Sequence, residues 1–377
     1  MFELARRLTR LHPITVLTSV DGSRQMKALG INGVDLRILG GESPTISVSR
    51  AYLRRVATAP MAIRRILRQR RLEGYSNTVI SASPFLPDLA ASLAAKAAGA
   101  KWVQSWQLDI PRPTVGYARR THGARFSPEH LLSTVRTSLS WVSQMVALAA
   151  ARRWCQTLMV PTHDMAARAH ARGFDPDRIL TVGYGVDFHA IRNIVTPAGL
   201  PYYDCVFVGR FHAQKGLEDL VAIWRKVLRR LPSARLAVIG GGSGPEAARF
   251  VSGLDEFDQE RVRRLGVLTG SDKYLALAKA RVFVFPSHRE SWGHVVIEAM
   301  AVGLPVVGYD IPSTREAFGD AVLTAPKGDI AAFADSVVSL LSDPNLHSCY
   351  QERGLSLAAT QDWDEVARIV SSRVWPN

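Results

Sequence analysis

The sequence has little cysteine and no long apolar run. Its three cysteines, Cys155, Cys205 and Cys349, are far apart and form no Cys-x-x-Cys pair. Neither a disulfide scaffold nor a zinc site is indicated, and a reducing compartment fits this usage. No apolar run reaches the roughly 18 residues of a membrane span, and the start, MFELARRLTRL, is charged where a secretory signal would be apolar. We therefore expect a cytoplasmic protein that is soluble or bound peripherally to a membrane.

Acidic residues are scarce in the first half of the chain. Residues 1–200 hold 27 Lys and Arg against 12 Asp and Glu, whereas residues 201–377 hold 20 against 21. The net charge of +14 therefore belongs to the first half. Apolar residues make up 47% of the 377 residues, which is ordinary for globular proteins, and this length suffices for two domains with separate cores.

The densest basic segment spans residues 50–71 and contains no acidic residue. Its arginines alternate with Leu, Ile, Val and Met, and they are Arg50, Arg54, Arg55, Arg64, Arg65, Arg68, Arg70 and Arg71. One interpretation is a solvated helix face beside a core stripe. Another is a helix on the inner face of a membrane, with its arginines on anionic headgroups. Nucleic acid is not expected as a partner, because no recognised nucleic-acid-binding module accompanies the charge.

Short β-rich runs alternate with helical patterns, which predicts an α/β architecture with mainly parallel sheets. The runs in the first half are residues 14–19, 34–39, 77–83, 101–106, 157–162 and 178–185, and those in the second half are 205–209, 235–240, 281–287 and 304–310. The sequence TPAGLPYYD after Val195 is typical of a linker. We expect two doubly wound domains, residues 1–197 and 198–357, followed by a last helical segment, 358–377.

Ligands of open parallel sheets bind beyond the carboxyl ends of the strands, so loops after strands are informative. The loop VGRFHAQKG offers Gly209, Arg210 and Lys215 just before a helix that begins near Leu217. Two cations, a glycine and a helix N-terminus together predict a diphosphate site. The alternative is an ordinary loop with surface cations. VIGGGSGPE, after the next strand, is a weaker candidate for backbone contact with an anion.

The stretch PSHRESWGHVVIEAMAVGLPVV places two glutamates eight positions apart. The preceding run predicts a buried strand, and a helix is predicted from His294 to Gly303, so Glu290 lies in a loop and Glu298 one turn into the helix. A carboxylate accepts two hydrogen bonds from vicinal hydroxyls, which suits one glutamate to a ribose and the other to a hexose. The alternative for Glu298 is stabilisation of the helix N-terminal turn by its charge.

Residues 201–377 resemble the donor domain of a retaining glycosyltransferase of family 4, which has the two-domain GT-B fold. The E-x7-E signature is matched by Glu290, Gly293, Glu298, Ala299, Met300, Gly303 and Pro305, and the phosphate-loop signature by Gly209, Arg210, Lys215 and Gly216. By this resemblance Arg210 and Lys215 neutralise the leaving diphosphate, and Glu298 holds the ribose. Glu290, with the backbone of Ser291, Trp292 and Gly293, holds the donor sugar. The resemblance assigns catalysis to Glu290, Arg210 and Lys215.

The resemblance implies two Rossmann-like domains facing a cleft, the first binding a glycan or lipid-linked acceptor and the second a nucleotide sugar. VGYGVDFHAI resembles the passage between domains, and QDWDEVARIVSSRVW resembles the closing helix that crosses back to the first domain. In the family the acceptor hydroxyl attacks from the face that the nucleotide leaves, so no protein nucleophile, metal or cofactor is expected. The single Asp-x-Asp, Asp175 and Asp177, is interpreted as a turn.

The sequence departs from the family pattern in two places. It starts inside the first helix of the pattern, so the first strand of the N-terminal domain is missing, and two strands of that sheet would lack their shared neighbour. We therefore expect that Met1 is an internal residue of a longer native chain. The second departure is SASPFLPD, which has no histidine where several members carry one.

The acceptor site is expected at the strand ends of the first domain. Ser83 and Phe85 follow one strand there, and Trp106 and Asp109 follow another. Three functions stay open. The first is transfer of a sugar in surface polysaccharide or glycolipid biosynthesis, the second is another nucleotide-sugar reaction on this fold, such as epimerisation, and the third is non-catalytic binding of sugar nucleotides.

Overall fold

The structure, a computed structural model, describes residues 2–19, 35–39, 48–74, 77–107, 109–110, 128–195, 201–242, 245–257 and 260–376. These residues divide into two compact units, one formed by residues 2–183 with 363–376 and the other by residues 184–362. The predicted linker at residues 196–200 lies outside the described residues. The domain limits at residues 197 and 357 stay predictions.

The first unit contains parallel strands that form two separate sheets. The pair is β1 (Thr15–Ser19) and β2 (Asp35–Leu39), and the four-stranded sheet has the order β3 (Thr78–Ser81), β4 (Lys101–Ser105), β5 (Thr157–Val160) and β6 (Ile179–Thr181). Its helices are α1 (Phe2–Leu8), α2 (Val48–Leu72), α3 (Leu86–Ala97), α4 (Pro128–Trp154), α5 (His163–Ala171) and, at the end of the chain, α14 (Trp363–Val374). Among the described residues, no strand pairs with the outer edge of β1 or of β3.

The arginine-rich segment forms most of α2, and an apolar stripe explains why it folds against the first unit. Ile63 and Leu67, four residues apart, are buried against Ala94 and Ala95 of α3. Leu17 of β1 and Val79 of β3 pack on the same cluster, so the helix covers both sheets. Arg54, Arg64, Arg65 and Arg68 are exposed on this helix, whereas Arg70 donates to Thr15 Oγ1 over 2.6 Å. The predicted core stripe is therefore present, beside a face with four exposed arginines.

The closing helix α14 packs on α1 within the first unit. Arg7 Nε lies 2.9 Å from Asp364 Oδ1, and the ring of His12 stacks on Trp375 with centroids 4.3 Å apart. This helix was predicted from the closing segment of the sequence, and its return to the first unit agrees with the expected crossing back.

The second unit has a six-stranded parallel sheet with the order β12-β11-β10-β7-β8-β9. The strands are β7 (Tyr203–Val208), β8 (Leu236–Ile239), β9 (Val262–Gly266), β10 (Ala280–Phe285), β11 (Val306–Tyr309) and β12 (Val322–Ala325). The helices are α6 (Phe188–Val195), α7 (Leu217–Arg230), α8 (Pro245–Asp255), α9 (Gly270–Ala278), α10 (His294–Val302), α11 (Pro312–Phe318), α12 (Ile330–Ser342) and α13 (Pro344–Thr360). The strand order reverses between β7 and β10, and ligands of such sheets bind at this point.

The predicted doubly wound α/β architecture is confirmed. Ten strands lie where β-rich runs were identified, whereas β9 and β12 were not predicted. The apolar stripe of α7 is buried against the sheet as predicted, with Leu220 and Trp224 in its centre. Across the described ranges, no helix combines the length and the apolar character that crossing a membrane requires.

Candidate functional site

Two loops meet at the switch point of the six-stranded sheet. The loop after β7 ends in a short 3-10 turn, Ala213–Lys215, and the loop after β10 runs up to α10. The backbone N–H of His288 donates to the carbonyl of Gln214 over 2.9 Å, and this bond joins the two loops. The side chains of both loops are thereby held at the carboxyl ends of β7 and β10.

Lys215 and Glu290 form a salt bridge between these loops. Only 14% of the lysine side chain and 10% of the glutamate side chain are exposed. Lys215 Nζ also lies 5.7 Å from the centre of the Phe285 ring at the end of β10. A cation and a carboxylate predicted from two separate motifs therefore lie side by side at the point where the sheet offers a ligand site.

Gly216 allows the two loops to approach so closely. Its φ is +66°, and a β-carbon at this position would lie 1.9 Å from the carbonyl oxygen of Pro286. No side chain larger than hydrogen fits there without moving the backbone. Gly240, after β8, is similar, because its β-carbon would lie 1.9 Å from the carbonyl oxygen of Gly209. Residues 243 and 244 of the glycine-rich loop lie outside the described part.

Arg210 is exposed beside this pair of loops and makes no ion pair with any residue that the structure describes. The turn that follows it is ordered by His212, whose Nδ1 accepts a hydrogen bond from the backbone N–H of Gln214 over 3.3 Å. A guanidinium on an ordered turn beside Lys215 gives this end of the sheet a second cation for an anionic ligand.

Helix α10 begins at this edge directly after a glycine. Gly293 has a φ of +97° and supplies no side-chain cap, and its carbonyl accepts the N–H of Val296 over 2.8 Å. Trp292 is buried, and its ring lies 5.2 Å from that of Phe318 and 5.4 Å from that of Tyr184. Ser291, just before it, is half-buried. The packing of Trp292 fixes the backbone that approaches the helix start.

Glu298 lies one turn into α10, as predicted, and it is only 5% exposed. Lys273 Nζ of α9 lies 2.7 Å from both of its carboxylate oxygens, and the hydroxyl of Tyr274 donates to Oε1 over 3.2 Å. His294 Nδ1 lies 3.8 Å from the same oxygen. A buried carboxylate is thus paired with a cation, and its oxygens accept hydrogen bonds from Lys273 and Tyr274.

The sequence pattern did not identify Lys273 and Tyr274 as residues of the site. They follow Gly270 in a segment without a recognisable motif, 25 and 24 residues before Glu298. The apolar residues on both sides of Glu298 could have indicated that such a partner exists, because a buried carboxylate requires a cation or several hydrogen-bond donors.

A second polar cluster lies beside Lys215 and Glu290. Tyr309, at the end of β11, donates its hydroxyl to Asp219 Oδ2 over 2.6 Å, and His288 Nε2 lies 3.1 Å from the same oxygen. The rings of His288 and Tyr309 stack with centroids 5.4 Å apart. Burial, reinforced by the hydrogen bond to Asp219, raises the pKa of Tyr309. Tyr309 is therefore a hydrogen-bond donor that orients Asp219 in the first turn of α7.

The four acceptor candidates lie at the strand ends of the first unit. Ser83 donates to Asp88 Oδ2 through its N–H over 2.9 Å and its hydroxyl over 2.7 Å, and Phe85 precedes the first residue of α3. Trp106 is 0% exposed and belongs to the core of the four-stranded sheet. The guanidinium of Arg172 lies over its ring at 4.8 Å. As the side chains stand, Trp106 has no surface to offer an acceptor.

Asp109 is held in a network of basic and amide groups. Its Oδ2 lies 3.2 Å from Arg168 Nη1, and its Oδ1 lies 3.2 Å from Arg172 Nη2 and 3.3 Å from Gln144 Nε2. These bonds fix the loop after β4 against α4 and α5. A hydroxyl that binds to Asp109 would have to share the carboxylate with this network. The assignment of Ser83, Phe85, Trp106 and Asp109 to acceptor binding stays a prediction.

The Asp-x-Asp pair forms a turn, as interpreted from the sequence. Asp175 Oδ1 accepts the N–H of Asp177 over 3.0 Å and caps a 3-10 turn, Pro176–Arg178. Within the described residues, no group of three or more His, Cys, Asp or Glu side chains has the arrangement to hold a metal ion.

Two family models match the chain, one for each unit. The model described as "Glycosyl transferase 4-like domain" matches residues 1–185. The model described as "Glycosyl transferases group 1" matches residues 203–343. Together the two matches cover most of the chain, and the second contains the loops that carry Lys215 and Glu290 and the helix that carries Glu298.

Curated relatives are similar over part of their length. A phosphatidyl-myo-inositol mannosyltransferase of Mycobacterium leprae is 29% identical over 224 residues, which cover 57% of this chain and 59% of the relative. A D-inositol 3-phosphate glycosyltransferase of Corynebacterium efficiens is 28% identical over 279 residues, which cover 64% and 63%. The chain thus spans less than two thirds of the length of these relatives.

Solved structures extend the similarity to the whole chain. Anabaena HepE, in complex with UDP and glucose, has a TM-score of 0.71 at 14% identity, over 100% of this chain and 96% of HepE. A sucrose-phosphate synthase of Thermosynechococcus elongatus has a TM-score of 0.63 at 18% identity, over 96% and 98%. At such identities the similarity concerns the fold, which has two Rossmann-like units with parallel sheets.

Proposed function

Because the chain belongs to the family 4 glycosyltransferases and has their GT-B fold, we propose that it transfers a sugar from a nucleotide-diphosphate sugar to a glycan or lipid-linked acceptor. The observation that carries this proposal is the meeting of Lys215 and Glu290 at the switch point of the second sheet, with Glu298 on the helix that follows. Ligands of open parallel sheets bind at the point where the strand order reverses, which is where these charged side chains lie.

The donor is bound by the two loops and by helix α10. Arg210 and Lys215 contact the diphosphate, whose charge they neutralise. Glu298, held by its ion pair with Lys273, accepts hydrogen bonds from the ribose hydroxyls. Glu290 and the backbone from Ser291 to Gly293 bind the sugar. Gly209, at the end of β7, leaves room for the side chain of Lys215, since a β-carbon there would lie 2.9 Å from the Phe207 ring and 3.6 Å from Lys215 Cγ.

The transfer retains the configuration of the anomeric carbon. The acceptor oxygen forms the new bond on the face that the diphosphate leaves, the bond from the anomeric carbon to the phosphate oxygen breaks, and the departing phosphate takes the acceptor proton. Stabilising the leaving oxygens is then the main task of the protein. Arg210, Lys215 and the positive N-terminal end of α10 supply this potential, so the proposed reaction uses no metal and no cofactor.

The acceptor is proposed to be a lipid-linked or glycan hydroxyl in glycolipid or surface polysaccharide biosynthesis. Two relatives are named for phosphatidyl-myo-inositol and for D-inositol 3-phosphate. An anionic, hydroxyl-rich acceptor also agrees with the basic character of the first half of this chain. The strand ends that carry Ser83 and Phe85 are the proposed location for it.

A cytoplasmic, peripheral position on anionic membranes follows from such an acceptor. Arg54, Arg64, Arg65 and Arg68 are exposed on α2, and Met61 between them is 66% exposed. Arginines near an anionic leaflet are attracted with about 1 kcal/mol each. Flotation with vesicles that contain anionic lipid tests this. A variant with Gln at positions 64, 65 and 68 should stay unbound, and unchanged flotation would contradict membrane contact through α2.

The activity is tested with a panel of nucleotide sugars. A bound donor stabilises the fold according to its occupancy, so a thermal-shift screen identifies the base and the sugar. Release of nucleoside diphosphate that depends on an acceptor, and a product whose anomeric configuration matches the donor by NMR, would support the proposal. Isomerisation of the donor without an acceptor would instead favour the epimerase alternative.

A further inference from the structure

Helix α4 has apolar side chains on two opposite sides. One side is buried in the core of the first unit, where Ala147 and Leu148 pack with residues of the four-stranded sheet. The other side carries Leu139, Val142 and Val146, which are between 48% and 64% exposed. Residues at spacings of three and four share one face of a helix. These three side chains, the outer stripe, therefore form an aliphatic surface where a solvated helix would have polar residues.

The outer stripe is uncharged along its length and ends in residues typical of a membrane interface. The helix contains no Asp, Glu, Lys or Arg between residues 138 and 151. Arg152, Arg153 and Trp154 then follow, all exposed. Trp154 is 45% exposed, whereas the other seven tryptophans of the chain are buried or half-buried. Tryptophan and arginine at the end of an apolar segment are enriched at the boundary between lipid and water.

Helices α2, α3 and α4 form one layer of the first unit. Ala95 of α3 packs in one cluster with Ile63 of α2, and the N–H of Leu86, the first residue of α3, donates to Ser143 Oγ of α4 over 3.1 Å. Helix α3 thus lies between the other two. Leu93, near its middle, is exposed as well. The outer stripe of α4 and the exposed arginines of α2 therefore belong to the same layer.

The charge of this layer is positive. Asp88 is the only acidic residue among the described side chains of the three helices, and it accepts hydrogen bonds from Ser83. The exposed arginines include Arg54, Arg64, Arg65 and Arg68 of α2 and Arg152 and Arg153 of α4. A partner of this layer has to complement cationic and aliphatic groups together.

A second copy of the chain fits this layer poorly. Two-fold pairing places the same surface on both partners, so arginines would face arginines, and like charges across an interface repel. The outer stripe and Trp154 are four side chains, too few to bury the about 800 Å² that each partner of a stable dimer contributes. An anionic bilayer attracts arginines and also takes up aliphatic side chains below its headgroups.

We propose that the outer stripe of α4 inserts below the headgroups of a membrane that contains anionic lipid. The proposal rests on the peripheral position proposed above and adds an apolar contact to the electrostatic contact of α2. Arg152 and Arg153 bind lipid phosphates, and Trp154 lies between the headgroups and the acyl chains. The contact holds the first unit, where the acceptor is proposed to bind, on the leaflet that contains a lipid-linked acceptor.

Flotation of the full chain with vesicles of phosphatidylcholine and phosphatidylglycerol tests the proposal. The test variant combines Leu139→Gln, Val142→Gln and Val146→Gln, which keeps the net charge and a good helix former at each position. We expect its partitioning to be at least about tenfold weaker than that of wild type, because burial of two CH₂ groups already supplies this factor.

Val267→Gln is the matched control, since it changes an exposed valine of the second unit, and it should partition within about twofold of wild type. Equal partitioning of the triple variant and wild type would overturn the proposal, because the contact would then be electrostatic alone. Sedimentation without lipid adds a second criterion. A wild-type dimer that the triple variant dissociates would also overturn it, since a second copy would then cover the outer stripe.

Trp154 reports insertion without a change to the outer stripe. Lipids with brominated acyl chains should quench part of the tryptophan fluorescence of vesicle-bound wild type, and this part should be lost in Trp154→Phe. Equal quenching in the two proteins would contradict insertion at this end of α4. Binding of nucleoside diphosphate to the same proteins tests the donor site separately. A chain that inserts but binds no nucleoside diphosphate would refute sugar transfer and leave the membrane contact standing.

Discussion

Lys273 Nζ lies 2.7 Å from both carboxylate oxygens of Glu298, which joins helix α9 to helix α10 in the second unit. The two side chains are 16% and 7% exposed, so this is a nearly buried ion pair. The glutamate proposed to bind the ribose is therefore held by an ion pair with a residue on a neighbouring helix. A substitution at Lys273 is expected to change both the stability of the unit and the binding of the donor.

Replacing Lys273 by Met should destabilise the second unit. Removing one partner of a buried ion pair leaves the other charge without compensation, which costs about 3 kcal/mol or somewhat more. Part of this cost is relieved by the hydroxyl of Tyr274, which stays bonded to Glu298. Urea unfolding followed by tryptophan fluorescence measures the change.

The double variant Lys273→Met with Glu298→Gln is the control for this prediction. It removes both charges at once, so we expect it to regain most of the lost free energy of unfolding while donor binding stays weak. A double variant as unstable as Lys273→Met alone would show that the cost is one of packing rather than of an unpaired carboxylate.

Lys215→Ala should abolish most of the transfer activity. The ammonium is proposed to stabilise the leaving phosphate, and loss of one such group typically costs about 100-fold to 1,000-fold in kcat. Lys327→Ala, at an exposed position of the same unit, is the matched control and should be neutral. The measurement is the rate of nucleoside diphosphate release. Turnover of Lys215→Ala within about twofold of wild type, or about 0.4 kcal/mol of barrier, would contradict the proposed role of Lys215.

Gly216→Ala should separate the two loops that carry Lys215 and Glu290. The new β-carbon would lie 1.9 Å from the Pro286 carbonyl oxygen, in addition to the penalty for a φ of +66°. We expect a loss of roughly 2–5 kcal/mol of unfolding free energy. Gly266→Ala has a similar φ of +73° but meets no atom within 4 Å, so it should cost only about 1 kcal/mol. Equal losses in the two variants would argue against close loop contact.

Asp88, which accepts hydrogen bonds from Ser83, should cause the free energy of unfolding to fall as the pH rises. Burial raises its pKa above the ordinary 3.8, although the bonds from Ser83 oppose this shift. A raised folded pKa means that the stabilising contribution is complete below the unfolded pKa and is lost as pH rises through the folded pKa. Wild type should therefore lose stability relative to Asp88→Asn as the pH is raised from about 4. Urea unfolding of both proteins over a pH series that starts there measures the difference, and a constant difference would contradict the raised pKa.

The sequence was sufficient to predict the strands and helices of the second unit wherever their apolar pattern matches the face that is buried. The buried strand before Glu290, and the helix from His294 to the glycine at 303, are in place because apolar runs and glycines determine them locally. β9 was missed because it lies at the edge of the sheet, and Arg263 and Arg264 are exposed there. β12 (Val322–Ala325) lies at the other edge of the sheet, and Thr324 is exposed there, so its sequence also lacks a continuous apolar run.

Contacts between distant segments could not be predicted in the same way. Each loop at the switch point contains a motif, so Lys215 and Glu290 were both found. Lys273 belongs to no recognisable motif, and only the three-dimensional structure shows that its ammonium group contacts Glu298. Asp109 illustrates the opposite case, since an exposed-looking loop carboxylate is bonded to Arg168 and Arg172.

Binding of nucleoside diphosphate is the measurement that tests the central claim most directly. Calorimetry should show that one of the common nucleoside diphosphates binds wild type, that Lys215→Ala and Glu298→Gln each weaken it at least about tenfold, a loss of about 1.4 kcal/mol, and that the matching nucleoside without phosphate does not compete. Binding of the diphosphate unchanged in both variants, or no binding of any nucleoside diphosphate, would contradict the account.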